Sequence, residues 1–137
     1  MVKVQELAEK SKFDKEVIIH AVGKRKLARA RVYVKSGSGK ITINGVPLKY
    51  WGTPILRSRI QEVLEIARAY LGDEVNKYDI KIIANSGGLV SQAEAIRNGI
   101  ARALSYMFGA ELKKIFENYD KYLIIWDPRR CEPHRSL

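Results

Sequence analysis

The fold is decided by residues 78–104, which read YDIKIIANSGGLVSQAEAIRNGIARAL. The β-branched run at 78–84 predicts a strand, and the glycine-rich turn at 85–90 ends it. The capping box SQAE at 91–94 predicts the start of an amphipathic helix that runs to about Gly109. Its apolar stripe consists of Ile96, Ile100, Leu104 and Met107. A strand, a tight turn and a helix that buries one face therefore form the centre of the protein.

The residues before this stretch predict further strands and one more helix. Strands are expected at 17–21, 29–35 and 40–43. The Asn44-Gly45 dipeptide favours a tight turn after the last of them, so we expect these strands to form a β-meander. Thr53 and Pro54 are typical of an N-cap and a first helical position, and apolar residues keep a helical period from there to Gly72.

The remaining residues predict a short helix at 111–118 and a short strand or a buried tether at 122–126. Strands followed by helix, strand and helix predict an α+β domain at 17–126, with helices packed on one face of a mixed β-sheet. We expect an N-terminal extension at 1–16, helical in character, and an extended basic strap at 127–137.

Composition excludes several classes of protein. The chain has 137 residues, 46% of them hydrophobic, which suits a globular domain and excludes wholesale disorder. Its apolar runs are too short for a bilayer, and its first residues lack the apolar stretch of a secretory signal. Cys131, His20 and His134 do not make up a four-ligand zinc site. We therefore expect a cytoplasmic protein without metal, cofactor or membrane contact.

Positive charge is concentrated in the first half of the chain. The formal net charge is +10, and residues 17–61 contain no Asp or Glu. The basic residues of this segment are Lys24, Arg25, Lys26, Arg29, Arg31, Lys35, Lys40, Lys49, Arg57 and Arg59. A solvated basic face is the simpler interpretation, but so long a segment without carboxylates favours a polyanionic partner, nucleic acid first. An anionic membrane is disfavoured because the run has no amphipathic helical face.

The turn at 85–90 places backbone N–H groups at the start of a helix, where a phosphate can bind. It matches neither the Walker pattern nor the spaced glycines of dinucleotide-binding loops, and a structural turn is the alternative interpretation. Arg97 and Arg102 are expected on the polar surface of the following helix, near this turn. The DPRR segment at 127–130 adds two guanidinium groups that suit phosphates or base stacking.

Several segments together resemble a known family. They are GKRK at 23–26, ARARV at 28–32, GKITING at 39–45, GG at 87–88, QAEAIR at 92–97, GIARAL at 99–104, DPRR at 127–130 and EP at 132–133. From 18 to 135 the chain resembles the universal family of small ribosomal subunit protein nine, in an archaeal-type form.

This resemblance implies a left-handed βαβ crossover, against the usual right-handed rule. It also implies a structural, non-enzymatic role in translation, bound to the 3′ major domain of small-subunit ribosomal RNA and to neighbouring proteins of the subunit head. The candidate RNA-binding residues are Lys24, Arg25, Lys26, Arg29, Arg31, Arg57, Arg59, Gly87, Gly88, Gln92, Arg97, Arg102, Arg129, Arg130 and Arg135.

Two departures from the family bear on partners. The family continues past the Glu-Pro segment into a strongly basic tail that reaches toward the transfer RNA of the peptidyl site, whereas this sequence stops at Leu137. We therefore expect that tail to be absent or truncated here. The extension at 1–16 is not required by the family, and we expect it to dock on a neighbouring protein or on RNA.

Two other functions compete with this interpretation. A small phosphate-transferring enzyme of the related left-handed crossover fold predicts saturable nucleotide binding at 87–91, but the chain is short and has no evident general base. A free translational or nucleoid factor predicts binding of nucleic acid without preference for one RNA segment.

Overall fold

The computed structural model describes residues 17–125, which form one five-stranded sheet and three α-helices. The strands are β1 (Ile19–Arg25), β2 (Ala28–Ser36), β3 (Ile41–Ile43), β4 (Val46–Pro47) and β5 (Tyr78–Asn85). The α-helices are α1 (Pro54–Leu71), α2 (Leu89–Phe108) and α3 (Ala110–Tyr119), with short 3-10 helices at Leu48–Tyr50, Gly72–Lys77 and Lys121–Leu123.

The sheet has the order β1-β2-β5-β3-β4. β3 pairs with β5 in parallel, and the other neighbours are antiparallel. The predicted α+β class with a mixed sheet is confirmed. The β-meander is wrong, because β5 lies between β2 and β3. The eight-residue β5 pairs along both edges, whereas β3 is only three residues long. α1 lies on the connection from β3 to β5 and completes a βαβ unit, whose left-handed sense stays a prediction.

Burial alternates along the strands and defines two faces. In β2, Ala28, Ala30, Val32 and Val34 are buried, as are Ile80, Ile82 and Ala84 in β5. α2 packs on β1 and β2 from this side, and α1 and α3 pack against α2. The intervening strand residues are exposed or half-buried. Within the described part of the chain, the helices therefore cover one face of the sheet, as predicted.

Helix ends agree with the sequence at α1 but not at α2. Thr53 is the N-cap of α1, and its Oγ1 accepts a hydrogen bond from the backbone N–H of Leu56 at 3.4 Å. The predicted capping box at 91–94 is wrong. α2 begins at Leu89 with Gly88 at its N-cap, and the N–H of Gln92 already donates to the carbonyl of Gly88 at 2.9 Å. The glycine-rich turn thus leads directly into the helix.

The segment after α3 matches the predicted buried tether better than the alternative prediction, a short strand. Residues Lys121–Leu123 form a 3-10 helix, and Leu123 and Ile124 are buried. The predicted extension at 1–16 and strap at 127–137 lie outside the described residues, so the division of the chain stays a prediction. No helix in the described range 17–125 has the length and apolar character to cross a membrane.

Candidate nucleic-acid interface

A cavity of about 270 Å³ opens where β1 ends, α2 begins and the 3-10 helix after α3 passes. Its lining consists of Lys24, Arg25, Lys26, Arg59, Val90, Ser91, Glu94, Asn98, Asp120 and Tyr122. We call it the basic cavity. It brings four predicted site residues together, although Arg59 is more than thirty positions from the others in sequence.

The β1–β2 turn and the glycine-rich turn before α2 pack closely against each other, and this packing positions the walls of the basic cavity. Lys26 adopts a positive φ of 54° in the β1–β2 turn, and Gly87 has a φ of 65° in the turn before α2. A Cβ on Gly87 would lie 3.2 Å from Ala28, so the glycine turn rests against the hairpin. The start of α2, with its positive dipole end, therefore lies beside the Lys24–Lys26 cluster.

Asn98 is a structural member of this site that the sequence analysis missed. Its Nδ2 donates to the carbonyls of Tyr122, Leu123 and Ile125 at 3.1, 3.0 and 3.2 Å, and its Oδ1 accepts from the N–H of Lys24 at 3.3 Å. The side chain is buried and joins β1 to the segment that leads toward the strap. The sequence does contain a pattern that indicates burial of Asn98, because small apolar residues, Ala95 and Ala101, flank it at helical spacing.

Arg97 does not stand on the polar surface, so that prediction is wrong. The residue is 5% exposed, with Nη2 lying 3.9 Å from Glu62 and Nη1 lying 4.0 Å from Glu94. The cause is α1, which covers the side of α2 that helical periodicity marked as polar. Arg59 also pairs with Glu94, at 2.5 Å. This carboxylate therefore neutralises part of the positive charge that lines the basic cavity.

We expect replacement of Arg97 by methionine to affect stability and not RNA binding. Methionine keeps the apolar contacts but leaves Glu62 and Glu94 without this partner, so we expect a loss of about 1–3 kcal/mol in the free energy of unfolding. Urea unfolding measures the loss. RNA titrations over a salt series measure the second part, and a smaller salt slope would show that Arg97 does contact phosphate.

The other predicted residues are more scattered. Arg57 donates from Nη1 to the carbonyl of Lys49 at 2.6 Å, and Arg102 donates from Nη2 to the hydroxyl of Tyr106 at 3.0 Å. Neither lines the basic cavity. Gln92 donates to the carbonyl of Ser86 and so braces the glycine turn. Arg129, Arg130 and Arg135 lie outside the described residues.

The face of the sheet opposite the helices carries two of the other predicted cations, Arg29 and Arg31. We call it the open face, and it consists of His20, Val22, Lys24, Arg29, Arg31, Tyr33, Lys35, Thr42, Asp79, Lys81, Ile83 and Asn85. Its cations come from three neighbouring strands. Asp79 is the one carboxylate in this set, and its Oδ1 accepts from the N–H groups of residues 38–40 at 2.9–3.1 Å.

Like charges are directly paired on this face. Lys24 and Arg29 are opposite each other in the β1–β2 register, an arrangement that destabilises a hairpin unless counter-charge is present. Arg31 lies two residues further along β2, on the same side as Arg29, and both arginines are exposed. The open face therefore concentrates positive charge, which a polyanion would neutralise.

Two groups with raised pKa values, Tyr70 and Lys77, lie outside the basic cavity and the open face. The hydroxyl of Tyr70 donates to Glu111, and this hydrogen bond raises the pKa of Tyr70 above its ordinary value. The hydrogen bond from Lys77 to Glu74, at 3.0 Å, likewise raises the pKa of Lys77. Within the described residues, no group of His, Cys, Asp and Glu is placed to hold a metal ion.

A basic cavity and a basic sheet face on one small α+β domain are typical of nucleic-acid-binding proteins. The profile of the family described as ribosomal protein S9/S16 matches residues 23–136. The chain belongs to the ribosomal protein S9 family, which confirms the resemblance read from the sequence. Proteins of this family have a structural role in the ribosome, and binding of ribosomal RNA is their general role.

Relatives from three archaeal sources are all named small ribosomal subunit protein uS9. The protein of Pyrobaculum aerophilum is 40% identical over 116 residues, covering 84% of this chain and 79% of its own. That of Desulfurococcus amylolyticus is 37% identical over 123 residues, covering 89% and 85%. That of Methanococcus maripaludis is 38% identical over 119 residues, covering 86% of each.

Proposed function

We propose that this chain is a structural protein of the small ribosomal subunit that binds folded ribosomal RNA through its open face and basic cavity. One observation carries the proposal. Five cations of the open face, Lys24, Arg29, Arg31, Lys35 and Lys81, lie together with one carboxylate, Asp79, so the face carries a net positive charge. RNA phosphates relieve the repulsion between these cations, so binding and folding support each other.

The finer partners follow from the family resemblance. We propose the 3′ major domain of the small-subunit RNA, in the subunit head, as the binding site, with neighbouring head proteins as further contacts and the cytoplasm as the location. The strap at 127–137, with Arg129, Arg130 and Arg135, is proposed to extend the RNA contact. A contact with peptidyl-site transfer RNA would need a basic tail beyond this strap.

The double variant Arg29→Ala/Arg31→Ala tests the open face. We expect roughly a tenfold to hundredfold loss of affinity for a transcript of the 3′ major domain, because two charge-assisted contacts are removed. The slope of log affinity against log salt should fall by about 1.4–1.8, or 0.7–0.9 for each lost phosphate contact. Filter binding from 50 to 300 mM KCl measures both quantities.

The matched control is Lys113→Ala/Lys114→Ala, which removes two exposed cations from α3 on the helix side of the sheet. It lowers the net charge by the same amount, so we expect only a small loss of affinity and an unchanged slope. Equal effects of the two double variants would mean that net charge, and not the open face, drives binding. Equal affinity for a large-subunit RNA fragment of the same length would favour a non-specific nucleic-acid factor.

Ribosomal protein families are generally structural and not enzymatic, and we propose the same for this chain. The alternative, a phosphate-transferring enzyme, would use the start of α2 beside the basic cavity, near Ser91. It predicts saturable one-to-one binding of a nucleoside triphosphate. Calorimetric titration of the free protein with ATP and GTP tests this, and we expect only weak, salt-sensitive heats.

A further inference from the structure

Two aromatic rings stack on the open face at the edge of the sheet. His20 of β1 and Tyr33 of β2 are directly opposite in register. Their ring centroids are 4.6 Å apart, with an angle of 9° between the ring planes. His20 is exposed and Tyr33 is half-buried, so the pair is not part of the core on the other side of the sheet.

The position of β1 leaves one end of this stack accessible. β1 is an edge strand, and no described strand lies beyond it, so His20 is the outer ring of the pair. A cross-strand aromatic pair contributes to hairpin stability by itself. Hairpin stability does not, however, require the cations that lie around the two rings.

Cations surround the pair on two sides. Lys81 of β5 is directly opposite Tyr33, which makes a row of histidine, tyrosine and lysine across three strands. Arg31 and Lys35 lie two residues before and after Tyr33 on the same side of β2. Aromatic rings flanked by cations at this spacing are the arrangement with which sheet surfaces bind single-stranded nucleic acid, with bases on the rings and phosphates on the cations.

We propose that His20 and Tyr33 form a stacking platform for an unpaired nucleobase of the bound RNA. The proposal rests on the proposed function and adds a contact to the base itself, where the cations meet only phosphates. The nucleobase adds a third ring to the stack, on the outer side of His20, and its phosphates lie toward Arg31 and Lys35, the cations on the strand next to β1. A base in a continuous duplex has no free ring face, so the RNA at this place is a loop, a bulge or a splayed nucleotide.

The charge of the surroundings favours RNA over a peptide. The open face carries five cations and one carboxylate, Asp79, so the platform lies in a positive field. An aromatic peptide side chain would gain the same stacking but would add no negative charge to this positive field. A nucleotide provides the ring and the negative charge in one unit.

The test compares two probes of equal charge, using the full 137-residue chain. One is a decamer of adenylate, and the other is a ribose-phosphate decamer of the same length without bases. The variants are His20→Ala/Tyr33→Leu, in which leucine keeps apolar bulk at the half-buried position, and His20→Phe, which keeps a ring. Fluorescence anisotropy over a salt series gives affinity and salt slope for each pair.

We expect the unmodified chain to bind the adenylate decamer roughly tenfold more tightly than the abasic decamer, since base–aromatic stacking has about this effect. The double variant should lose this preference while keeping its salt slope. His20→Phe should retain the preference. Arg29→Ala/Arg31→Ala should weaken both probes alike and lower the slope.

Equal binding of the two probes by the unmodified chain, with a steep salt slope, would overturn the platform and leave the proposed function intact. A double variant that keeps its base preference, or loses its salt slope, would also overturn it. Failure of the unmodified chain to bind either probe or the 3′ major domain transcript would instead contradict the proposed function.

Discussion

Replacement of Gly23 by alanine should separate the main helix from the sheet and lower the free energy of unfolding by about 3 kcal/mol or more. A Cβ at this position would lie 1.8 Å from the carbonyl oxygen of Ala95 and 2.4 Å from the backbone nitrogen of Gly99. Both contacts are helix backbone, so they relax only if α2 moves away from β1. Alanine restricts the unfolded chain and would otherwise stabilise a strand by about 0.4–1 kcal/mol, which is smaller than the clash.

Thermal and urea unfolding measure the effect, and we expect a fall in melting temperature on the order of 10 °C. Gly88→Ala is the control, because Gly88 has an ordinary φ of −89° and no atom within 4 Å of an added Cβ. Loss of glycine at this N-cap should cost less than about 1 kcal/mol. Similar stability of Gly23→Ala and the unmodified chain would show that α2 does not rest on β1.

Replacement of Asn98 by aspartate should cost about 3–5 kcal/mol at neutral pH. The two side chains have the same shape, but aspartate places a carboxylate oxygen against the carbonyls of Tyr122, Leu123 and Ile125, where Asn98 places an amide donor. The residue is buried, so solvent does not offset the repulsion. We expect the segment after α3 to detach first.

The pH dependence of this variant identifies the cause. Burial and the carbonyls raise the folded-state pKa of the introduced carboxyl above the value of about 3.9 in the unfolded chain. A raised folded-state pKa means that the deficit is small below about pH 4 and grows as the pH rises toward neutrality. The control is Asn76→Asp, because Asn76 is exposed and its Oδ1 accepts from Arg68. A deficit of the same size at pH 3 and pH 7 would contradict this account.

Local signals in the sequence predicted the elements well. Proline at the start of α1, β-branched runs in β2 and β5, and apolar spacing in α2 act within a few residues, so neighbouring residues contain the information. One local prediction failed for a local reason. SQAE at 91–94 has the pattern of a capping box, but Gly88 ends the turn earlier and the helix begins before that pattern.

Predictions that depended on distant residues were less successful. The β-meander failed because β5, which follows β3 by more than thirty residues, pairs between β2 and β3. Arg97 was assigned to the surface because helical periodicity shows which side of a helix is polar and does not show what covers it. Glu62, the partner of Arg97 that lies outside its own helix, comes from α1, which the spacing within α2 does not reveal.

The sequence by itself determined that this is an α+β protein with its positive charge in one segment, and that alternation along β2 sends Arg29, Arg31 and Lys35 to the same side. Its motifs also placed it in the correct family. Only the tertiary structure decided which side of the sheet stays open, which cations meet around the basic cavity, and that His20 stacks on Tyr33. The reason is physical: periodicity is set by backbone geometry within one element, whereas coverage, cavities and cross-strand contacts are set by pairing between elements far apart in the chain.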